Sequence, residues 1–297
     1  MALKRVQNII GLAYPSLLQS ISAFAPPPFL DKYVQKGGLR NVFSLNLCPD
    51  RLNGNFMTVG KIDDAVSESS IQYTQILADS LINSHTLDFY NVGPTTLSID
   101  GESSSLGLFP TQSERYLTIV DSGTSLLLLP KTLMDAIGTY YKATQDIDPG
   151  FWDLPDNLSN LQYIDPSKQS VLKDLVINFP KINGGTIAYH ISPRTYTLQV
   201  LRDNGQVGLI SLLKSAQAPM AVAGGYYPGV VVLGEVFMQN AYTVFDREQQ
   251  QIGFMANKDL CRIAKKMSIN RVGSHFARLQ PHSLARRWLV PYSRYQE

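Results

Sequence analysis

The residues best placed to do chemistry lie in one short stretch, Thr118-Ile119-Val120-Asp121-Ser122-Gly123-Thr124-Ser125, followed by Leu126–Leu129 and Pro130. A carboxylate stands at the end of an apolar strand and runs straight into a Ser-Gly-Thr turn. Gly123 permits a tight turn and the close approach of another backbone. The Ser122 and Thr124 hydroxyls can hydrogen-bond the carboxylate or nearby main chain. Apolar flanks desolvate the acid, so its protonation can be tuned. The bland alternative is an Asp capping an ordinary turn, because Asp, Ser and Gly are the usual turn formers. The apolar segments on both sides weigh against it.

The elements that must hold this stretch are short and mostly β. Phe43–Leu47, Phe56–Gly60, Thr96–Ile99, Tyr116–Val120, Val230–Leu233 and Ala241–Phe245 are rich in Val, Ile, Thr, Tyr and Phe. Turn residues bound them: Asn53-Gly54, Asp100-Gly101, Asn183-Gly184-Gly185 and Asn204-Gly205. This pattern suits antiparallel hairpins, with Asn53-Gly54 and Asp100-Gly101 as type I′ turns. Two helices are expected, Pro28–Gln35 and Thr132–Tyr141, the second opening after Pro130-Lys131. Ser103–Ser105 reads as a loop.

Composition narrows the function classes. The chain has 297 residues, 44% of them hydrophobic and only 17% charged, so it can bury a sizeable core and is not a disordered chain or coiled coil. No apolar run approaches the roughly 18–20 residues of a membrane span. The net charge of +2 conceals an asymmetry, because eight Lys/Arg and one acid fall between Arg262 and Glu297 and leave an acidic body. A nucleic-acid face shared with the body is not indicated. The tail 262–297 reads as a solvated, disordered extension, with a membrane-surface or partner-binding segment as the other reading. Cys48 and Cys261 are too few for a disulfide scaffold or a zinc cluster. The four His have no metal-ligand spacing, and no metal or cofactor is expected. Ala23-Phe24-Ala25 after Lys4 and Arg5 has the form of a signal-peptidase site. Gln7, Asn8, Tyr14, Pro15, Gln19 and Ser20 break the apolar region, so this segment is read as a folded strand and turn.

Two hydrolase families use such words around Asp121. In subtilisin-like serine proteases Asp-Ser-Gly and Gly-Thr-Ser belong to two different triad members, but here they overlap within five residues. None of His85, His190, His275 or His282 is followed by Gly, as that family's His would be, and this reading is rejected. The sequence instead resembles the pepsin-like aspartic proteases, and within them the β-secretase branch, over roughly residues 8 to 261. Asn8–Ser16 is similar to an apolar-apolar-Gly segment of the amino-terminal lobe, and Asn41–Cys48 to the crossing into the second lobe. Asp121-Ser122-Gly123-Thr124 matches the second catalytic motif, and Gly150-Phe151-Trp152 a β-secretase-like segment. Val232-Leu233-Gly234, Val244-Phe245-Asp246-Arg247 and Ile252-Gly253-Phe254 match the closing strands in order.

The resemblance implies a mostly β, pepsin-like fold, with residues 1–47 a remnant of the amino-terminal lobe, 48–261 the carboxy-terminal catalytic lobe and 262–297 the tail. It implies that Asp121 is the second-lobe catalytic Asp, that Thr124 hydrogen-bonds it, that Ser122 reaches toward the other lobe, and that Gly123 and Ser125 support the turn. It implies that Val232-Leu233-Gly234 runs close beside the Asp121 turn, and it implies a Cys48–Cys261 bridge, peptide or protein substrates, and a secretory, lysosomal/endosomal or extracellular location for a full-length form. Asn157-Leu158-Ser159 is a glycosylation sequon. Only one Asp-Ser/Thr-Gly occurs, so most of the first lobe is absent from these residues, through truncation or degeneration. The leading reading is therefore an aspartic endopeptidase represented by an incomplete chain, inactive alone and able to self-associate through its exposed interlobe face. The alternative is a non-catalytic binding protein that keeps the second-lobe fold. A homodimer pairing two Asp121 residues ranks lower, because this lobe is shaped to face a different one.

Overall fold

The protein is described by a computed structural model covering residues 11–17, 26–49, 55–78, 87–111, 116–202, 204–216, 220–222, 225–227, 229–257 and 260–261. The readings at Ala23–Ala25, at Asn53-Gly54 and along the tail 262–297 lie outside these residues.

Sheets form where apolar residues recur at the strand period. In one five-stranded sheet, β1 (Val42–Asn46) lies between β2 (Phe56–Val59) and β16 (Ala241–Asp246). Next come β17 (Gln251–Ala256) and, at the edge, β3 (Gln72–Gln75). Both β1 and β16 are buried along their whole length, as central strands covered on two faces must be. A second sheet runs β5 (Ser105–Leu108), β4 (Thr96–Ile99), β8 (Leu175–Pro180), β9 (Thr186–Ile191). In β9 every other side chain is buried, the pattern of a half-covered strand. Two hairpins, β10 (Thr197–Leu201) with β11 (Val207–Ser211) and β13 (Met220–Val222) with β14 (Gly225–Tyr227), complete the antiparallel part.

The sheet that carries Asp121 is different. Its order is β12 (Leu213–Ser215), β7 (Leu127–Leu129), β15 (Gly229–Leu233), β6 (Tyr116–Val120). Here β15 runs parallel to β6 and antiparallel to β7, and β12 runs parallel to β7. Hairpin logic alone does not give these parallel pairs. They join strands far apart in sequence, and β15 inserts between the two neighbours β6 and β7, leaving the Asp121 turn to bridge over its end.

The turn at Asp100-Gly101 also departs from expectation. Glu102 N–H donates to Ile99 O at 3.1 Å, and only Gly101 has positive φ, +76°. That is a type II turn, since type I′ needs positive φ at both central residues. The strands end at Ile99 and restart at Ser105, so the connection exceeds the two residues for which type I′ is favoured. Ser105, read as loop, opens β5. The helices run longer than expected, Phe29–Gly37 and Lys131–Gln145, each ending on a left-handed cap, Gly38 and Asp146.

Aromatic packing ties the segments together. Phe43 and Phe245 stack with centroids 4.5 Å apart, Tyr90 stands edge-on to both, and Tyr14 lies 5.1 Å from Tyr90. Arg247, 1% exposed, holds Asp31 through two hydrogen bonds of 3.0 and 3.3 Å and lies 4.7 Å from the Tyr14 ring centroid. The segments around Tyr14, Asp31 and Arg247 thus meet at one buried cation.

Burial pushes the phenols of Tyr14 and Tyr73 up to about 12, against the partial opposition of Arg247 at Tyr14. Tyr90, Tyr189 and Tyr196 are raised by burial too. Neutral tyrosine is thus favoured by the fold, and this stabilisation is complete below the unfolded value near pH 10 and lost as pH rises toward 12. In an alkaline titration, tyrosinate absorbance from these rings should appear together with loss of sheet circular dichroism. Full tyrosine ionisation near pH 10 with the sheets intact would contradict this burial.

Candidate active site

Asp121 leaves β6 and enters the turn Ser122-Gly123 partly exposed, beyond the last ladder pair, Val120 with Leu233. Its carboxylate is held on both oxygens. Gly123 N–H donates to Oδ1 at 2.8 Å and the Thr124 hydroxyl to Oδ2 at 2.6 Å. Its own N–H donates to Leu233 O at 3.2 Å, fixing the residue to the end of β15. Two donors aimed at one carboxylate, one on each oxygen, set the plane in which it lies.

Gly123 is not among the glycines with positive φ, so its value is room rather than a left-handed backbone. A methyl group there would sit 3.1 Å from Asp121 Oδ1. Ser122 is exposed and Ser125 partly so.

The grip on this turn comes from Gly234. Its Cα lies so close that an added methyl would overlap the backbone oxygens of Thr124 and Leu126. The next residue, Glu235, donates its N–H to Thr124 O at 2.6 Å. The expected neighbour Val232-Leu233-Gly234 therefore does run beside the Asp121 turn. The second support was not legible in sequence. Val120 N–H donates to Tyr90 O at 3.0 Å, and Thr118 N–H to the Asn91 side-chain oxygen at 3.0 Å, clamping β6 from its other side. Neither Tyr90 nor Asn91 belongs to any local pattern that could have flagged it.

Two concavities on the described surface lie elsewhere. One is bordered by Lys131, Asp135, Pro149 and Trp152, the other by Leu77, Pro94, Phe109 and Tyr116. Asp121 borders neither of them.

Cys48 and Cys261 are bonded, with an S–S distance of 2.06 Å and Cα atoms 5.7 Å apart. The bridge joins the end of β1 to the segment after β17 across 213 residues. Asn257 reinforces it by donating to Leu47 O at 2.8 Å. Cys48→Ser with Cys261→Ser should cost about 2–4 kcal/mol, because a long loop in the unfolded chain is released. Urea denaturation of the oxidised protein and the double variant checks this, and equal midpoints would show that the bridge contributes nothing.

Asn157 is exposed, and its side-chain oxygen caps the turn Leu158–Asn160 by accepting from Ser159 N–H and hydroxyl. Among the described residues no His/Cys/Asp/Glu group could hold a metal ion, and no helix is long and apolar enough to cross a membrane.

Asp121 thus sits in an Asp-Ser-Gly-Thr turn that Gly234, at the end of the inserted strand β15, grips from the side. The chain belongs to the eukaryotic aspartyl protease family, which it matches over residues 1–257. It is similar to a beta-secretase of Strongylocentrotus purpuratus, 27% identical over 266 aligned residues covering 84% of this chain and 47% of that protein. It is similar also to pepsin A of Bos taurus, 27% identical over 247 residues covering 83% of this chain and 55% of the relative. Pepsin A of Canis lupus familiaris gives the same identity, with 53% of the relative covered. The chain spans about half the length of these curated relatives.

Proposed function

We propose that this chain supplies the Asp121 half of an aspartic endopeptidase site acting on peptides or proteins. The observation that carries the reading is the carboxylate held by Gly123 N–H and the Thr124 hydroxyl on a partly exposed turn. In such a centre two carboxylates share a proton and hold one water. One accepts a proton from that water as it attacks the scissile carbonyl, and the protonated partner donates to the developing oxyanion. Asp121 is one member of the pair. Its Gly123 and Thr124 donors keep it oriented while Ser122, exposed beside it, faces the other half.

The sequence holds a single Asp-Ser/Thr-Gly, and in this reading the second carboxylate is supplied by a first lobe outside these 297 residues. Residues 48–261 form the catalytic lobe in this reading, 1–47 a remnant of the other and 262–297 a tail. Unpaired, the interlobe face leaves the chain prone to self-association. The reading requires no metal or cofactor. A secretory, endosomal, lysosomal or extracellular setting suits the Cys48–Cys261 bridge, which needs an oxidising compartment, and glycosylation at the exposed Asn157 would accompany it.

The test is cleavage of a peptide library at acidic pH by three samples: the chain alone, a form carrying both motifs, and that form with Asp121→Asn. A binding protein without catalysis would show no inhibitor-sensitive cleavage in any of them.

A further inference from the structure

Two Asn-Gly pairs close hairpins of the same build. The last ladder pairs are Pro180 with Thr186 in β8–β9 and Leu201 with Val207 in β10–β11. In the first connection, Gly184 N–H donates to Lys181 O at 3.0 Å and Lys181 N–H to Gly185 O at 3.1 Å. In the second, Gly205 N–H donates to Arg202 O at 2.9 Å and Arg202 N–H to Gln206 O at 2.8 Å. Asn183 and Asn204 thus hold the same place, one residue before a left-handed glycine, Gly184 at φ +87° and Gly205 at +80°. Both asparagines are exposed, so exposure does not separate them. Their side chains do differ. The Asn204 oxygen accepts from Gln206 N–H at 3.0 Å, and its amide donates to the Gln206 side-chain oxygen, also at 3.0 Å. Asn183 has no side-chain hydrogen bond among the described residues, and the place of Gln206 is taken by Gly185, which has no side chain and a φ of +85°.

We propose that Asn183 is a site of spontaneous, water-consuming conversion to aspartate and iso-aspartate, and that Asn204, in the matching turn, is protected by Gln206. The Gly184 main-chain nitrogen gives up its proton and bonds to the carbonyl carbon of the Asn183 side chain. The C–N bond of the side-chain amide breaks, and its nitrogen leaves with that proton as ammonia. One water then opens the cyclic imide at either carbonyl, giving aspartate or, with the main chain running through the side-chain carbon, iso-aspartate. A glycine leaves the approach to its nitrogen unobstructed, and a methyl built on Gly184 would meet nothing within 4 Å. Gly185 adds backbone freedom on the far side. At Asn204 the same step must first break the two bonds to Gln206, which hold both the carbonyl oxygen and the leaving nitrogen. The attacking N–H must leave a carbonyl in either turn, Lys181 O or Arg202 O, so that cost cancels in the comparison. The conversion falls at a joint of the fold. Ile182 N–H docks this turn on Tyr73 O of β3 at 3.0 Å, tying it to the five-stranded sheet. An iso-aspartate lengthens the main chain beside that bond and adds a carboxylate of the kind that isoaspartyl carboxyl methyltransferases accept. The inference is independent of the catalytic reading and rests on the hydrogen bonds inside each turn, not on which surface is free.

The test is peptide mapping by mass spectrometry of the full chain held at mildly alkaline pH, with labelled methyl transfer by an isoaspartyl methyltransferase as the second readout. Conversion at Asn183 should be faster than at Asn204 by about tenfold or more, the factor expected when two hydrogen bonds of ordinary net strength must be given up. Gln206→Ala should bring Asn204 up toward the rate of Asn183. Asn183→Gln should remove the methyl label from the peptide that carries residue 183. In urea, with the turns gone, both asparagines should convert at similar rates. Trypsin puts Asn53-Gly54 on a separate peptide, so it does not enter the comparison. Equal rates at Asn183 and Asn204 in the folded chain would overturn the proposal. So would an Asn183 that stays intact in the folded chain yet converts in urea, or a Gln206→Ala variant of unchanged circular dichroism in which Asn204 is still protected.

Discussion

Asp121→Asn, made in a form that carries both catalytic motifs, should lower peptide cleavage at acidic pH by about 10²–10⁴-fold, the usual contribution of a positioned general base. The substitution keeps the shape of the side chain. Its oxygen can still accept from Gly123 N–H, and the Thr124 hydroxyl can rotate to accept from the new amide, so folding should be little affected. What is lost is a group able to take the proton from water and share one with its partner. The same logic sets the expectation for the 297-residue chain alone. With one carboxylate, no proton is shared, the oxyanion loses one of its stabilisers, and nothing excludes water from the open face. Its cleavage should be at background with or without an aspartic-protease inhibitor. Robust inhibitor-sensitive turnover by the chain alone, abolished by Asp121→Asn, would replace the proposal with a homodimer of two Asp121 turns.

Gly234→Ala should be among the most damaging single substitutions in the protein, costing more than about 4 kcal/mol. Gly234 has φ −82°, which any L-residue can adopt, so the penalty is one of space and not of backbone strain. The methyl would overlap the carbonyl oxygens of Thr124 and Leu126. Those oxygens are main chain and cannot swing aside as a flexible side chain would. Thr124 O is in addition pinned by Glu235 N–H. The only relief is to move β15 away from the Asp121 turn, which loosens Leu233 O from Asp121 N–H and so misplaces the carboxylate. Gly101→Ala provides the contrast: φ is +76° but nothing lies within 4 Å, so it should cost only about 1 kcal/mol or slightly more. Thermal denaturation of the two variants measures both effects. A Gly234→Ala protein as stable as Gly101→Ala would mean that the contact across the turn is slack.

The local signals were strong where local physics decides the outcome. The run Tyr116–Val120 and the run Thr96–Ile99 are strands with those same ends, because β-branched and aromatic residues bounded by turn formers leave few alternatives. The Asp121 turn could be singled out because an acid after an apolar strand followed by Ser-Gly-Thr is self-contained: both donors to its carboxylate lie within three residues. The helix beginning at Lys131 follows Pro130 as expected, but it runs past Tyr141 and ends at Gln145 on the left-handed cap Asp146, whose N–H reaches back to Tyr141 O.

What the sequence by itself determined, then, was a mostly β chain with one tunable carboxylate in a tight turn, since those follow from near-neighbour chemistry. The pairing of Cys48 with Cys261 and the passage of Val232–Gly234 past that turn came only through resemblance, which carries long-range information that spacing lacks. Tertiary structure alone decided the rest. It inserted β15 in parallel between β6 and β7, and put Tyr90 and Asn91 against the outer side of β6. It also turned Asp31 inward onto Arg247 while Lys32 and Lys36 face out. Each of these joins residues far apart along the chain, and such contacts are fixed by which faces must be buried together, a property of the assembled core and not of any window of residues.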